Sequence, residues 1–391
     1  MISIEDQYFR FNRTLLLAIG LWPCHKSILS RLQSLCFFSI EATFIVSQLI
    51  IFVTSEFTID IAIKILSPAF ACINFTLIYN SFYVNGETVK YLMEQLQCIY
   101  DDIKDKNEFI IIEKYGNKAK HYMIVLIMFF FTFAFFYTFA QIWPGFLDLI
   151  TSTNKSRPRH ISITTNRFVK QHLYLRRLSM TVAIYIGIAA AVITGAMLIA
   201  YFQHFCGMFK IASYRIENAI QIYISQDINF QKESLVHKNI ICAIDIHRNA
   251  MKFSSYLISN FEMSFMLLII FGVITLSCNI FHMLQVASTE YNFEQRLLPV
   301  TIVIFCTIYM FLSNYVGQEI MDHNNDVYAT AYNVCWYAAS LHIQKLILFL
   351  LQRGNKGFGL NVGGLFVASF ECFATLVKAS VSYFTVIYST Q

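Results

Sequence analysis

Charge is scarce in this sequence. Only 14% of its 391 residues are charged, while 57% are hydrophobic and the mean hydropathy is +0.54. An average soluble domain carries about 25% charged residues, so a free-standing soluble fold is excluded and an integral membrane protein is indicated. The net charge of +5 is spread thinly, with no basic stripe interleaved with aromatics, so no nucleic-acid partner is expected. Catalytic signatures are missing too. There is no HExxH, no phosphate loop and no GxSxG. The ten cysteines show no CxxC spacing. No enzyme, no metal and no cofactor is therefore indicated. Linkers, low-complexity stretches and internal repeats are also absent, which leaves one membrane domain over residues 1–391. Ten-residue alternating segments are lacking, which excludes a membrane β-barrel.

What is present is long apolar runs. Roughly 20 apolar residues cross a bilayer as a helix, and backbone groups in lipid must be satisfied within the segment. Seven runs qualify, at about 32–53, 60–83, 121–143, 178–202, 263–286, 297–318 and 359–389. The stretch TLLLAIGLWP at 14–23 is too short to span. It follows Arg10 and Arg13 like a signal peptide, but no small-residue cleavage site comes after it, so it reads as an interfacial segment.

Seven spans put the chain ends on opposite sides. The connections on the N-terminal side hold 19 Lys and Arg, against 8 on the other. The positive-inside rule then predicts a cytoplasmic N-terminus and an extracellular C-terminus. All ten cysteines fall in spans or on the predicted cytoplasmic side, so no extracellular disulfide is expected. Of three glycosylation sequons, at Asn12, Asn74 and Asn154, only Asn154 is predicted to face the lumen and carry sugar. The connection at 203–262 has apolar residues at helical spacing on both sides of QDINFQKES. It predicts two helices running below the membrane, joined by a polar turn. A further helix is predicted around TAYNVCWYAASLHIQKLILFLLQRG, ending at Gly354.

The last span carries a pattern. Glu371, Thr375, Lys378, Ser382, Thr385 and Ser389 recur at spacings of four and three, a single polar stripe on an apolar cylinder. Such a stripe must face protein or water. Two readings remain open: hydroxyls bonded to backbone or to neighbouring helices, or the wall of a pore shared by several subunits, with Val386 as a hydrophobic constriction. Lys378 suits snorkelling, a pair with Glu371, or a wet vestibule. Glu41 lies inside the first span, where an ionisable residue is a functional candidate; the sequence names no partner for it. In the third span Phe136, Phe139 and Trp143 share one helical face. That face suits lipid or core packing, with Trp143 as an interface anchor, or the wall of an apolar ligand cavity.

The wording of several segments is similar to one family. FNRTLLLAIGLWP, HFCGMFKIASYRIENAI, SLVHKNIICAIDIHRNAMKF, NYVGQEIMDHN, AYNVCWY and FECFATLVKASVSYFTVIYSTQ extend from about residue 8 to the end. Together they resemble an insect odorant receptor of the hymenopteran-like branch. The resemblance implies a seven-helix subunit of a ligand-gated, non-selective cation channel, assembled as a heterotetramer with a common co-receptor in the plasma membrane of a sensory dendrite. It implies a pore lined by the last helices, with Val386 at the gate and Ser382 and Thr390 beside it. Subunit contacts fall on Tyr332, Trp336, Tyr337, Lys378 and Tyr383. A small hydrophobic odorant or semiochemical is expected between the second, third, fourth and sixth spans. Helix depth and bulk then nominate Ala71, Cys72, Phe136, Phe139, Trp143, Tyr185, Ile188, Ile302, Phe305 and Tyr309, with Tyr185 or Tyr309 supplying a hydrogen bond. A gustatory-type receptor channel is the nearest alternative; its TYhhhhhQ ending is only partly matched by SYFTVIYSTQ. A G-protein-coupled receptor is a remoter one, since DRY and NPxxY are missing. A secondary transporter is remoter still, for want of paired broken helices.

Overall fold

The computed structural model describes residues 5–24, 27–54, 59–150, 167–225, 230–287 and 293–389. A π-helical turn at Glu5–Phe9 leads into α1 (Arg10–Ala18). Then come α2 (Ile28–Thr54), α3 (Ile59–Val84), α4 (Gly86–Asp102), α5 (Lys106–Ile150), α6 (Arg167–Ser225), α7 (Phe230–Ala287) and α8 (Phe293–Asn333). A short helix α9 (Leu341–Gly354), a hairpin of β1 (Asn361–Val362) and β2 (Phe366–Val367), and α10 (Phe370–Ser389) complete the chain. Seven of the helices, α2, α3, α5, α6, α7, α8 and α10, are long and apolar enough to cross a membrane. The protein is an all-α, multi-pass membrane protein with seven spanning helices.

The longest helices far exceed a bilayer. At about 1.5 Å per residue, the 59 residues of α6 reach about 90 Å, while a hydrocarbon core is about 30 Å thick. The surplus of α5, α6, α7 and α8 forms an extension, to which α4 and α9 add. The helices predicted around 203–262 are the extension ends of α6 and α7, continuous with their spans.

The extension encloses an apolar core that includes Phe205, Phe209, Ile216 and Ile240, and charged and polar pairs link its helices around that core. Arg215 Nε and Nη2 donate to Glu108 Oε1 and Oε2 at 2.6 and 2.8 Å, a bidentate link from α6 to α5. The Glu319 carboxylate of α8 accepts from Lys118, Gln203 and Tyr315. Tyr115 Oη meets His323 Nε2 at 2.7 Å.

The segment at 14–23 is packed into the protein on one side. Leu16, Leu21 and Trp22 are buried in the main core together with Tyr8 and Phe9. That side of the segment packs against α6. Burial lifts the Tyr8 phenol to about 12.

Helix α6 is the hub, touching α2, α3, α5, α7 and α8. Ala183, Gly187, Ala190 and Thr194 recur at spacings of four, three and four and are all buried. Small residues let helix backbones approach closely. A Cβ at Gly187 would collide with the Phe75 ring of α3, so this crossing needs glycine. Polar pairs tie α3 to α7: Ser67 Oγ donates to Asn279 Oδ1 at 2.6 Å and Asn74 Nδ2 to Thr275 Oγ1 at 2.9 Å.

The last span differs from expectation. Residues 359–369 are not helical. Gly363 and Gly364, at φ +66° and +69°, turn the β-hairpin, a conformation L side chains rarely adopt. Apolar content alone does not separate such a hairpin from the first turns of a helix. The predicted helix over TAYNVCWY is also broken, by a 3-10 turn at Trp336–Ala338 between α8 and α9.

Candidate ligand cavities and the outer face of the last helix

Two cavities lie between the spanning helices. The upper one, on the side away from the extension, has a volume of about 50 Å³. Its wall comes from α3 (Ala71, Asn74, Phe75, Ile78), α6 (Ile184, Ile188), α7 (Leu268, Gly272) and α8 (Thr301, Ile302, Phe305, Tyr309). Phe75 meets Phe305 edge-on with ring centroids 5.7 Å apart, and Phe305 stacks on Tyr309 at 6.1 Å. The lower cavity holds about 180 Å³ and is walled by α5, α6, α7, α8, the hairpin and α10. Leu268, Phe305, Tyr309 and Met310 line both, so a partition of four side chains separates them.

Five of the nominated residues meet at the upper cavity: Ala71, Ile188, Ile302, Phe305 and Tyr309. Cys72 is fully buried next to them but turns toward Glu41 of α2. Phe136 and Phe139 are not brought there. They are 62% and 49% exposed on the outer face of α5. The inward face belongs to Tyr137, 2% exposed, whose ring lies against Phe133 and Tyr185. Spacing identified a face of α5, but packing against α6 selects the adjacent one. The Trp143 side chain lies outside the described residues. Sequence reasoning passed over Phe75, Thr301 and Gly272, and it treated Asn74 only as a sequon; Gly272 gave no signal, because its contribution is the side chain it lacks.

The two tyrosines differ. Tyr185 Oη is already engaged, with Thr138 Oγ1 at 2.6 Å and the Ala134 carbonyl at 3.1 Å. Tyr309 Oη has no hydrogen-bond partner among the described residues, although the ring borders both cavities.

On α10, Glu371, Thr375, Lys378, Ser382, Thr385, Val386 and Ser389 are all exposed. Leu376 and Ser380 are the buried residues, and the Ser380 carbonyl accepts from Ser277 Oγ of α7 at 2.9 Å. The hydroxyls of Thr375, Thr385 and Ser389 bond backbone carbonyls within α10. Their hydrogen bonds are therefore locally satisfied while the stripe still faces outward. Lys378 has no partner among the described residues. Tyr332, Tyr337 and Tyr383 are exposed and Trp336 half-buried. Thr390 and Asn154 lie outside the described residues. Asn12 and Asn74, the other two sequons, are 3% and 9% exposed.

Seven helices able to span a membrane, with apolar cavities between them, are the architecture of a multi-pass membrane protein with room for small apolar molecules. A sequence profile described as 7tm Odorant receptor matches residues 58–381, and the chain belongs to that family. Among curated proteins it is similar to Odorant receptor 30a of Drosophila melanogaster, 26% identical over 92 residues, which are 22% of this chain. It is also similar to Odorant receptor 63a of the same fly, 30% identical over 83 residues, or 21% of this chain. The matched stretches span only 24% and 18% of those receptors' own lengths. The fold is shared with the insect olfactory receptor OR5 from Machilis hrabei. In complex with eugenol, that structure aligns with a TM-score of 0.76 at 15% identity, over 99% of this chain and 98% of its own. A second structure of OR5 aligns with a TM-score of 0.74 at the same identity and coverage.

Proposed function

We propose that this chain is the odorant-tuned subunit of a non-selective cation channel formed with a common co-receptor. The observation that carries the reading is the outer face of α10. A stripe holding Glu371 and Lys378 faces away from the protomer, and a charge facing lipid costs at least about 2.5 kcal/mol near the bilayer centre. Neighbouring subunits around an axis remove that cost by turning the stripe into a wet wall. Val386 is then the gate, flanked by Ser382 and Thr390. Tyr332, Trp336, Tyr337, Lys378 and Tyr383 supply subunit contacts. The N-terminus and the extension lie in the cytoplasm, the C-terminus outside, and Asn154 carries the sugar. The plasma membrane of a sensory dendrite is the setting, with lipid as the surrounding partner.

The ligand is a small hydrophobic odorant or semiochemical in the upper cavity. An apolar cavity of about 150 Å³ accepts benzene, so one of about 50 Å³ admits such a molecule only if its wall moves. Phe75, Phe305 and Tyr309 are bulky side chains of that wall with no side-chain hydrogen bond among the described residues. Binding then favours whichever bundle arrangement holds the wall apart, and that differential affinity is what a ligand needs to gate. Selectivity rests on shape, with one methylene worth about 1–3 kcal/mol.

The test is whole-cell recording from cells expressing the chain with and without an insect co-receptor, with a G-protein blocker in the pipette. A rapid cation current that needs both subunits and survives the blocker supports the reading, and Val386→Ala then leaks at rest. A response abolished by the blocker removes the pore from α10.

A further inference from the structure

We infer that the lower cavity is a second binding site, for an uncharged, mainly apolar molecule of about six to nine non-hydrogen atoms, whose occupant bears directly on α10. The inference goes beyond the odorant site and does not need it; only the current-based readout below rests on the channel reading.

Size comes first. At about 180 Å³ the lower cavity is more than three times the volume of the upper one. It exceeds the roughly 150 Å³ at which an apolar cavity stays dry and takes up benzene. Its lining chemistry restricts the occupant. Phe129, Leu198, Phe202 and Phe265 are typical of the wall, and no charged residue borders it. The polar groups there are mostly committed. Asn314 Nδ2 donates to the Met310 carbonyl at 2.9 Å and its Oδ1 accepts from the Ser369 amide at 3.2 Å. Ser313 Oγ donates to the Tyr309 carbonyl at 2.8 Å. Among the described residues the Tyr309 hydroxyl and the weakly polar Cys372 thiol are left to offer an occupant. A charged ligand would be desolvated without compensation, so the site selects a hydrocarbon or a molecule with one weak polar group.

The wall also says what the occupant does. α10 contributes Cys372 and Leu376 to the lower cavity and nothing to the upper one. Leu376 is one of the two buried residues of α10, and the other, Ser380, is bonded to α7 one turn on. The cavity therefore lies behind the strip by which α10 is held to the protomer. An occupant changes the packing of that strip without touching the outward stripe.

Two glycines make the sites separable. Gly195 lines the lower cavity and Gly272 the upper, and a Cβ built on either meets nothing within 4 Å. A leucine at each position fills its own cavity from one wall.

The probe is p-xylene, added to the purified full-length chain in detergent. An empty apolar cavity destabilises in proportion to its volume, so filling it raises the unfolding temperature. The rise is expected in the unsubstituted chain and in Gly272→Leu, and is expected to vanish in Gly195→Leu. Cys372→Leu, which narrows the cavity from α10, must also abolish it and serves if Gly195→Leu does not fold. No rise in the unsubstituted chain, or a rise retained in the two lower-cavity variants, overturns the proposal. In cells with the co-receptor, p-xylene should shift the odorant concentration–response curve about fivefold or more. Gly195→Leu should lose that shift yet keep the odorant response. A shift that survives Gly195→Leu places the p-xylene site elsewhere and overturns the proposal. If Gly272→Leu keeps its odorant response while losing nothing else, the upper-cavity reading fails and the lower site stands.

Discussion

Removing one oxygen atom from Tyr309 discriminates between ligands. The Tyr309 hydroxyl has no partner among the described residues and its ring borders both cavities, so Tyr309→Phe sacrifices no internal hydrogen bond. An intramolecular or ligand hydrogen bond contributes a net 0.5–1.5 kcal/mol or so. At about 1.4 kcal/mol per decade, an odorant with an acceptor oxygen should lose about 2- to 12-fold in potency. Its matched hydrocarbon, with the oxygen replaced by methylene, should lose none. Tyr185→Phe is the control. That hydroxyl is spent on Thr138 and Ala134, so its loss weakens the α5–α6 contact and shifts both ligands alike. The assay is paired concentration–response curves for the two ligands on each variant. Taking the ratio between ligands cancels any change in gating. Equal shifts for both ligands in Tyr309→Phe, or a selective shift in Tyr185→Phe, would refute the reasoning.

Three further outcomes follow from other parts of the molecule. Arg215→Met leaves the Glu108 carboxylate, whose side chain is 7% exposed, buried without its partner; this should destabilise the chain by about 3–5 kcal/mol, and adding Glu108→Leu should recover most of it, read as thermal unfolding of the purified chain. Gly187→Val forces a branched side chain into the Phe75 ring of α3 and should cost about 1–3 kcal/mol as overpacking, again seen in the unfolding temperature, whereas Gly195→Val at an open position should not. Asn154→Gln should abolish the glycosidase-sensitive band on a gel, while Asn12→Gln and Asn74→Gln leave it unchanged.

The spans were legible because each is a local property. Twenty apolar residues in a row need no partner to be recognised, and the extension helices showed their own apolar spacing. The sites were less legible because they arise between segments. Ile188, Ile302 and Tyr309 could be nominated by depth and bulk. Phe136 could not be told from Tyr137, since both stand on an aromatic helix and only contact with α6 decides which turns inward. The hairpin at 361–367 is apolar enough to pass for membrane helix, and its two glycines acquire meaning through their φ angles. The lower cavity left no trace in any one segment, because a void is a mismatch among six packed elements.

The seam of Ala183, Gly187, Ala190 and Thr194 has an evolutionary consequence. At Gly187 a larger side chain meets the Phe75 ring of α3, which also walls the upper cavity, so there the helix crossing and the cavity shape change together. The neighbouring stripe of Ile184 and Ile188 faces the upper cavity, where a change of one methyl group reshapes the space and leaves the helix crossing intact. Diversification of such a receptor is thus open, on α6, to the side of the helix that borders the cavity. On α6 the glycine that sets the crossing and the isoleucines that border the cavity occupy neighbouring faces, so the cavity wall can change there while the bundle persists.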